Sequence, residues 1–217
     1  MLPMIFDAAR ARPFRLLCLG AHCDDIEIGC GGTVLRLLDL FPGTEVRWVA
    51  MTGSAGRREE GRQAADAFLA RAGARQVELH DFRESFLPQE WGGVKEEFER
   101  LKGEFDPCAI LTHARQDGHQ DHRVMAELTW NTFRDHLVLE YEIPKFDGDL
   151  GQPNLYVPLS AAQAESKVAS LLRCFPSQRR RPWFDERTFL GLMRLRGVEC
   201  NAESGYAEAF HVRKMVV

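Results

Sequence analysis

Short apolar runs alternate with amphipathic stretches along the first 135 residues. Residues 14–19 (FRLLCL) are apolar without strict alternation and stop at Gly20, the pattern of a strand buried on both faces. Residues 45–51, 76–79 and 108–112 repeat that pattern. Between these runs, apolar positions fall at helical spacing. Residues 34–40 form one such stretch, closed by Pro42-Gly43 and with Thr33 placed to cap it. Residues 58–72 form a second, with Ala64, Ala65, Phe68 and Leu69 on one side and a stop at Gly73, and residues 94–101 a third. Strand and helix in turn predict an α/β fold, a Rossmann-like three-layer sandwich with a mostly parallel central sheet.

The pattern loosens after residue 135. Residues 138–143 read as a strand, and residues 144–158 as a long loop rich in Pro, Gly and Asp. Helices are expected over 160–175, where Ser160 is placed as a cap, and over 185–195; a closing strand is expected over 206–212. No repeat, low-complexity tract or linker interrupts the chain, and 217 residues suit one well-buried domain. The expectation is therefore a single domain over 1–217, with a core at 13–135 and an irregular specificity region at 136–217.

Composition adds exclusions. Apolar residues make up 45%, charged residues 28%, and the net charge of −4 gives no argument for nucleic-acid or membrane-surface binding. The first 20 residues are broken by Asp7, Arg10, Arg12 and Arg15, and no apolar stretch is long enough to span a bilayer. Six cysteines without a CxxC pair do not suggest a disulfide framework in a chain of this size. A cytoplasmic location is the default expectation.

The chemistry concentrates in two clusters, one after the first strand and one after the fourth. In doubly wound sheets ligands sit outside the carboxyl ends of the strands, so both clusters are expected at one sheet edge. The first is His22, Asp24 and Asp25. A neutral nitrogen ligand and two carboxylates in one turn suit zinc, with one aspartate free to face a bound water. The competing reading has the aspartates capping a helix. Gly29, Gly31 and Gly32 follow, but their spacing is not GxGxxG, and the acidic turn would repel a pyrophosphate. The second cluster, residues 113–123 (HARQDGHQDHR), holds three histidines and two aspartates. His119 and His122 share a face if a helix begins there. One can ligate a metal while the other stabilises an oxyanion, and Asp121 can orient an imidazole from behind. The bland alternative is a solvated loop.

The two clusters, AHCDDIEIGCGGT and HQDHR, resemble the signatures of the PIG-L/LmbE family of zinc-dependent N-acetylglucosaminyl deacetylases, as does Arg57-x-x-Glu60 followed by Ala64 and Ala65. The resemblance covers roughly the first 130 residues and the closing YAEAF. It implies His22, Asp25 and His122 as zinc ligands, with iron or cobalt also chemically acceptable. It further implies Asp24 as general base, His119 as the histidine that stabilises the oxyanion or protonates the leaving amine, Asp121 as the outer carboxylate, and Arg57 as a substrate contact. Cys23 replaces the family's usual Pro and Ile26 its usual Glu, with Glu27 next in line. Cys23 as a fourth ligand would close the water position. The implied partner is a small N-acetyl amino sugar or sugar conjugate, with no nucleic acid and no membrane insertion.

Arg179–Arg181 with Trp183 form a local basic and aromatic patch, in which Arg180 and Trp183 are candidate contacts for a phosphate or a base; a solvated turn is the plainer reading. Lys145, Asp147 and Asp149 are equally open. Two rivals remain: a zinc amidase acting on a non-sugar N-acyl compound, and a catalytically inactive sugar-binding module.

Overall fold

The computed structural model describes residues 13–215. Seven strands form one sheet in the order β3-β2-β1-β4-β5-β7-β6. Strands β1 (Arg15–Gly20), β2 (Glu45–Thr52), β3 (Ala74–Phe82), β4 (Ala109–His113) and β5 (Val138–Tyr141) run parallel. Strands β6 (Leu155–Leu159) and β7 (Tyr206–His211) join antiparallel, β7 pairing with β5 and β6 with β7. The chain goes outward from β1 to β3, then returns to place β4 on the other side of β1. This reversal opens a crevice at the carboxyl ends of β1 and β4, where such sheets bind ligands.

Helices α1 (Asp25–Leu40), α2 (Ala55–Phe68), α5 (Ala161–Cys174) and α6 (Glu186–Glu199) pack around one apolar core; α3 (Trp91–Glu104) and α4 (Gln120–Thr132) pack around the other. The alternation of β1 divides between them. Leu16 and Cys18 face the first core, Leu17 and Leu19 the second, and all four are fully buried. Among the described residues no helix is long and apolar enough to cross a membrane. The reading of residues 1–12 lies outside the described residues.

Three expectations need correction. Helix α1 starts at Asp25, not near residue 34, so Thr33 lies inside it and caps nothing. Gly29, Gly31 and Gly32 lie inside this helix as close-approach positions. A Cβ on Gly29 would fall 2.2 Å from the Tyr141 ring, one on Gly31 2.6 Å from Phe68, and one on Gly32 2.5 Å from Leu159. Tertiary packing overrides the poor helix propensity of glycine there. Second, residues 144–158 are largely loop as expected, but their end belongs to an unexpected strand, β6 (Leu155–Leu159), at the sheet edge, where Pro158 is tolerated. Third, α2 begins earlier than expected, at Ala55, where the Ser54 side chain accepts from the Arg57 N–H.

Buried ion pairs hold the second half together, and hydrogen bonds from one of them tie it to the first. Lys167 Nζ and Glu208 Oε1 are 2.6 Å apart, and both residues are buried. Glu208 also accepts from the Gly32 and Thr33 N–H groups (2.9 and 2.6 Å), and Lys167 donates to the Ile28 carbonyl. The closing strand thus hydrogen-bonds the middle of α1. Arg196 on α6 pairs in fork geometry with Glu142 just after β5.

Candidate active site

Gly20 ends β1, and the chain turns at once into α1, so His22, Asp24 and Asp25 stand at the carboxyl edge of the sheet. Asp24 occupies the cap position, but its side chain makes no capping bond. Its Oδ1 lies 2.7 Å from the Arg57 guanidinium. The Asp25 carboxylate turns back into the crevice, accepting from the His22 N–H at 2.7 Å. Helix capping therefore does not explain either carboxylate. From the other side of the crevice, β4 ends at His113, and α4 carries His122 in its first turn with His119 as its cap.

Three donor groups converge. His22 Nδ1 lies 3.1 Å from Asp25 Oδ2, His122 Nε2 lies 3.2 Å from His22 Nδ1, and His122 Nε2 lies 3.5 Å from Asp25 Oδ1. Ligands bonded to one tetrahedral ion at ~2.0–2.1 Å stand ~3.3–3.4 Å apart, close to the spacing of the two imidazoles and of each to one or other Asp25 oxygen. The donor set, two imidazoles and a carboxylate, suits zinc, iron or cobalt. Electrostatics point the same way. Burial opposes charge on His22, yet Asp25 and Asp121 lift its pKa well above the usual imidazole value. His122 is raised likewise, against burial, by Asp25 and Asp117. Burial alone would lift Asp25, but the imidazoles of His122, His22 and His113 hold it well below the ordinary carboxylate range. The cluster draws positive charge to its centre.

Each converging imidazole has a carboxylate behind it. Asp121, fully buried, lies 3.3 Å from His22 Nε2 and accepts the N–H groups of Ser85 and Leu87. Asp117 Oδ2 lies 2.9 Å from His122 Nδ1, an ion-pair contact not aligned as a hydrogen bond. The carboxylate–histidine arrangement is the one that orients metal-binding imidazoles. The expected orienting carboxylate, Asp121, is thus joined by a second one, Asp117, to which the sequence pattern assigns no role. Asp117 stands two residues before His119, and only the fold shows that it meets His122.

His119 accepts the Asp121 N–H at Nδ1 (3.2 Å), so the neutral ring carries its proton on Nε2. Burial and the neighbouring charges of His122 and His22 lower its pKa and keep it neutral. Two further sets of donors are compact enough to hold an ion: His22, His119 and His122, and the buried Asp25, His113 and His122. His113, which sequence reasoning counted without a role, is fully buried and stacks on His122 with ring centroids 3.9 Å apart. Its Nε2 accepts the Ala21 N–H and lies 3.1 Å from Asp25 Oδ2. Burial and the charge of His122 bring its pKa down to about 4.

Arg57 does more than reach outward. Besides Asp24, its guanidinium meets Glu60 and the Ser177 hydroxyl, both at 3.2 Å. Glu60 in turn accepts from both the N–H and hydroxyl of Ser177. Burial and the charge of Asp25 raise the Asp24 pKa despite Arg57. Cys23 points away from the crevice, its thiol donating to the Thr52 carbonyl, with burial pushing its pKa up to about 12. It is not placed to be a fourth ligand. Arg180 is exposed, in the Pro176–Arg180 turn, and half-buried Trp183 packs against Phe184. The turn reaches the site through Ser177; neither Arg180 nor Trp183 touches the converging donors.

The family model of GlcNAc-PI de-N-acetylases, PIG-L, matches residues 17–133, more than half of the chain, from β1 to the end of α4. The chain belongs to the PIG-L family. No curated protein sequence matches this PIG-L chain. Solved structures share its fold. The N,N'-diacetylchitobiose deacetylase of Pyrococcus horikoshii is similar with a TM-score of 0.72 and 22% identity, over 92% of this chain and 83% of that one. A 4-carboxy-2-hydroxymuconate hydratase of Pseudomonas putida KT2440 is similar with a TM-score of 0.73 and 16% identity, over 94% and 98%. The zinc-inhibited form of a teicoplanin deacetylase is similar with a TM-score of 0.68 and 17% identity, over 93% and 98%.

Proposed function

We propose that this protein is a zinc-dependent hydrolase that removes the acetyl group from an N-acetylated amino sugar, releasing the amine and acetate. The observation that carries this reading is the convergence of His22, Asp25 and His122 at metal-ligand spacing beside Asp24 and His119. Membership of the PIG-L family and the deacetylases among the similar folds support the choice of an N-acetyl substrate. We assign His22, Asp25 and His122 to the ion, with iron or cobalt as chemical alternatives. When bound there, the ion polarises the amide carbonyl and brings the pKa of a water toward ~7.

The chain supplies the rest. Asp24 accepts the proton of the attacking water, held in place by Arg57. Its raised pKa suits a base better than that of an ordinary carboxylate. His119, neutral with its proton on Nε2, donates a hydrogen bond to the oxygen that gains charge, and the proton taken up by Asp24 passes to the departing amine. Asp121 and Asp117 keep His22 and His122 in the required tautomers. Arg57, Arg180 and Trp183 form the substrate side of the reading, and residues 136–217 act as one unit with the 13–135 core. Six cysteines without a disulfide support a reducing, cytoplasmic setting.

The test is acetate release by metal-loaded protein across free, phosphorylated and nucleotide-linked N-acetyl sugars, alongside N-acyl compounds without a sugar. Asp24→Ala is expected to retain metal and lose turnover by ~10²–10⁴-fold. Near-normal turnover in that variant refutes the base; no acetate from any sugar refutes the substrate class. The hydratase of the same fold gives a second reading, water addition to an unsaturated acid, which the same protein is assayed for by loss of the conjugated chromophore.

A further inference from the structure

Lys145 lies in the segment between β5 and β6, and its side chain is 8% exposed. An ammonium group so far from water needs close partners. Its Nζ stands 3.1 Å from Asp117 Oδ1 and 2.5 Å from Asp149 Oδ2. Both carboxylates act on the turn that leads into α4. Asp117 Oδ1 accepts the His119 N–H at 2.8 Å while Oδ2 faces His122 Nδ1 at 2.9 Å. Asp149 Oδ2 accepts the Gly118 N–H at 2.5 Å. A Cβ on Gly118 would approach Asp147 to 3.0 Å, so the turn and the segment are packed closely. Arg123 fastens the same turn from inside α4 through the carbonyls of Asp117 and Gly118.

The Asp117 carboxylate therefore has one oxygen for each histidine, and its rotation sets both. Arg123 holds only the backbone of the turn. Lys145 holds the carboxylate itself. Without that cation, Asp117 and Asp149 would face one another as like charges, and Asp117 would be held only by the His119 N–H and by His122 itself. We propose that Lys145 is a positioning residue: by fixing Asp117 it orients His122, so that the segment outside the family match helps to set the metal affinity of the site. The proposal rests on the reading of His22, Asp25 and His122 as metal ligands.

The test measures zinc affinity of the metal-stripped protein by competition with a chromogenic chelator, with thermal unfolding of the metal-free form alongside. Lys145→Met is expected to lower the metal-free unfolding midpoint, because it strands two carboxylates, and in the folded protein to weaken zinc binding by about ten-fold, at the low end of the range for outer partners of metal ligands. Lys145→Arg, which keeps the cation, is expected to restore most of the affinity. A merely structural lysine would lower the midpoint and leave the affinity of the folded protein unchanged. If Lys145→Met does not fold, Asp149→Asn provides the second arm: it leaves Lys145 to pair with Asp117 alone and is expected to keep affinity within about three-fold, well short of the ten-fold loss. Wild-type affinity in folded Lys145→Met, or a loss in Lys145→Arg as large as in Lys145→Met, overturns the proposal while the metal site stands. If Lys145→Met is unfolded, a ten-fold loss in Asp149→Asn does the same. Wild-type protein that binds no zinc overturns the metal site and this proposal together.

Discussion

The two halves of the molecule use different forces to place functional groups. In residues 13–135 the site residues stand in the turns and first helical turns that follow strands, and the parallel sheet brings His22, Asp25 and His122 together from the ends of β1 and β4. Position there comes from backbone hydrogen bonds and apolar burial. Residues 136–215 contribute through ion pairs and hydrogen bonds that cross long stretches of chain. Lys167 meets Glu208, Arg196 meets Glu142, Lys145 meets Asp117, and Ser177 meets Glu60. A sheet edge fixes a turn whatever the surface chemistry, whereas a buried ion pair fails when one partner is removed. The first half thus determines what chemistry is possible, and the second determines how firmly it is held.

Removing a central donor from the first half should give the largest effect. His122→Ala is expected to lose both metal and activity while keeping the fold, measured by metal content after gel filtration and by circular dichroism. Full metal occupancy in that variant would mean that the His22, His119 and Asp25 donors suffice without it. In the second half, Glu208→Ala is expected to cost about 3–5 kcal/mol, because it strands the Lys167 ammonium and two α1 N–H groups. Denaturant unfolding measures this, and a loss below about 1 kcal/mol would contradict a unit held by ion pairs. Gly29→Ala sharpens the contrast from the packing side. Its Cβ must displace the Tyr141 ring, so a cost of about 1–3 kcal/mol is expected by the same measurement. The smallest effect is assigned to Arg180→Ala. For a phosphorylated substrate KM should rise by about five-fold or less with kcat unchanged, the scale of one exposed charge contact; equal KM values for phosphorylated and free substrates would remove Arg180 from the substrate side.

The same contrast explains what was legible in the sequence. Strand-helix alternation exposed the sheet, because each element there carries its own period. The His22, Asp24, Asp25 and His119-to-His122 clusters stood out because each occupies a few adjacent positions. The start of α1 did not, since the three glycines that weaken its first turns are explained only by Tyr141, Phe68 and Leu159, far away in the chain. Strand β6 was hidden by its proline and by its dependence on β7. Asp117 looked like any loop aspartate, and its task is set by His122 and Lys145, which no local pattern joins to it. Asp121 meets His22 across 99 positions. Ligand types can be read locally, but the partners that orient them cannot.

The place of β7 has a consequence for biosynthesis. Strand β6 pairs with β7 alone, and β7 lies between β5 and β6 in the sheet. On the ribosome the five parallel strands can assemble as they emerge, but β6 has nothing to bind until residues 206–211 are free. During translation the segment carrying Lys145 and Asp149 is therefore tethered at one end only. A nascent chain would have His22, Asp25 and His122 gathered before the strand pairing that anchors Lys145 is complete, so the gathering of the proposed donors and the final locking are separable events in time.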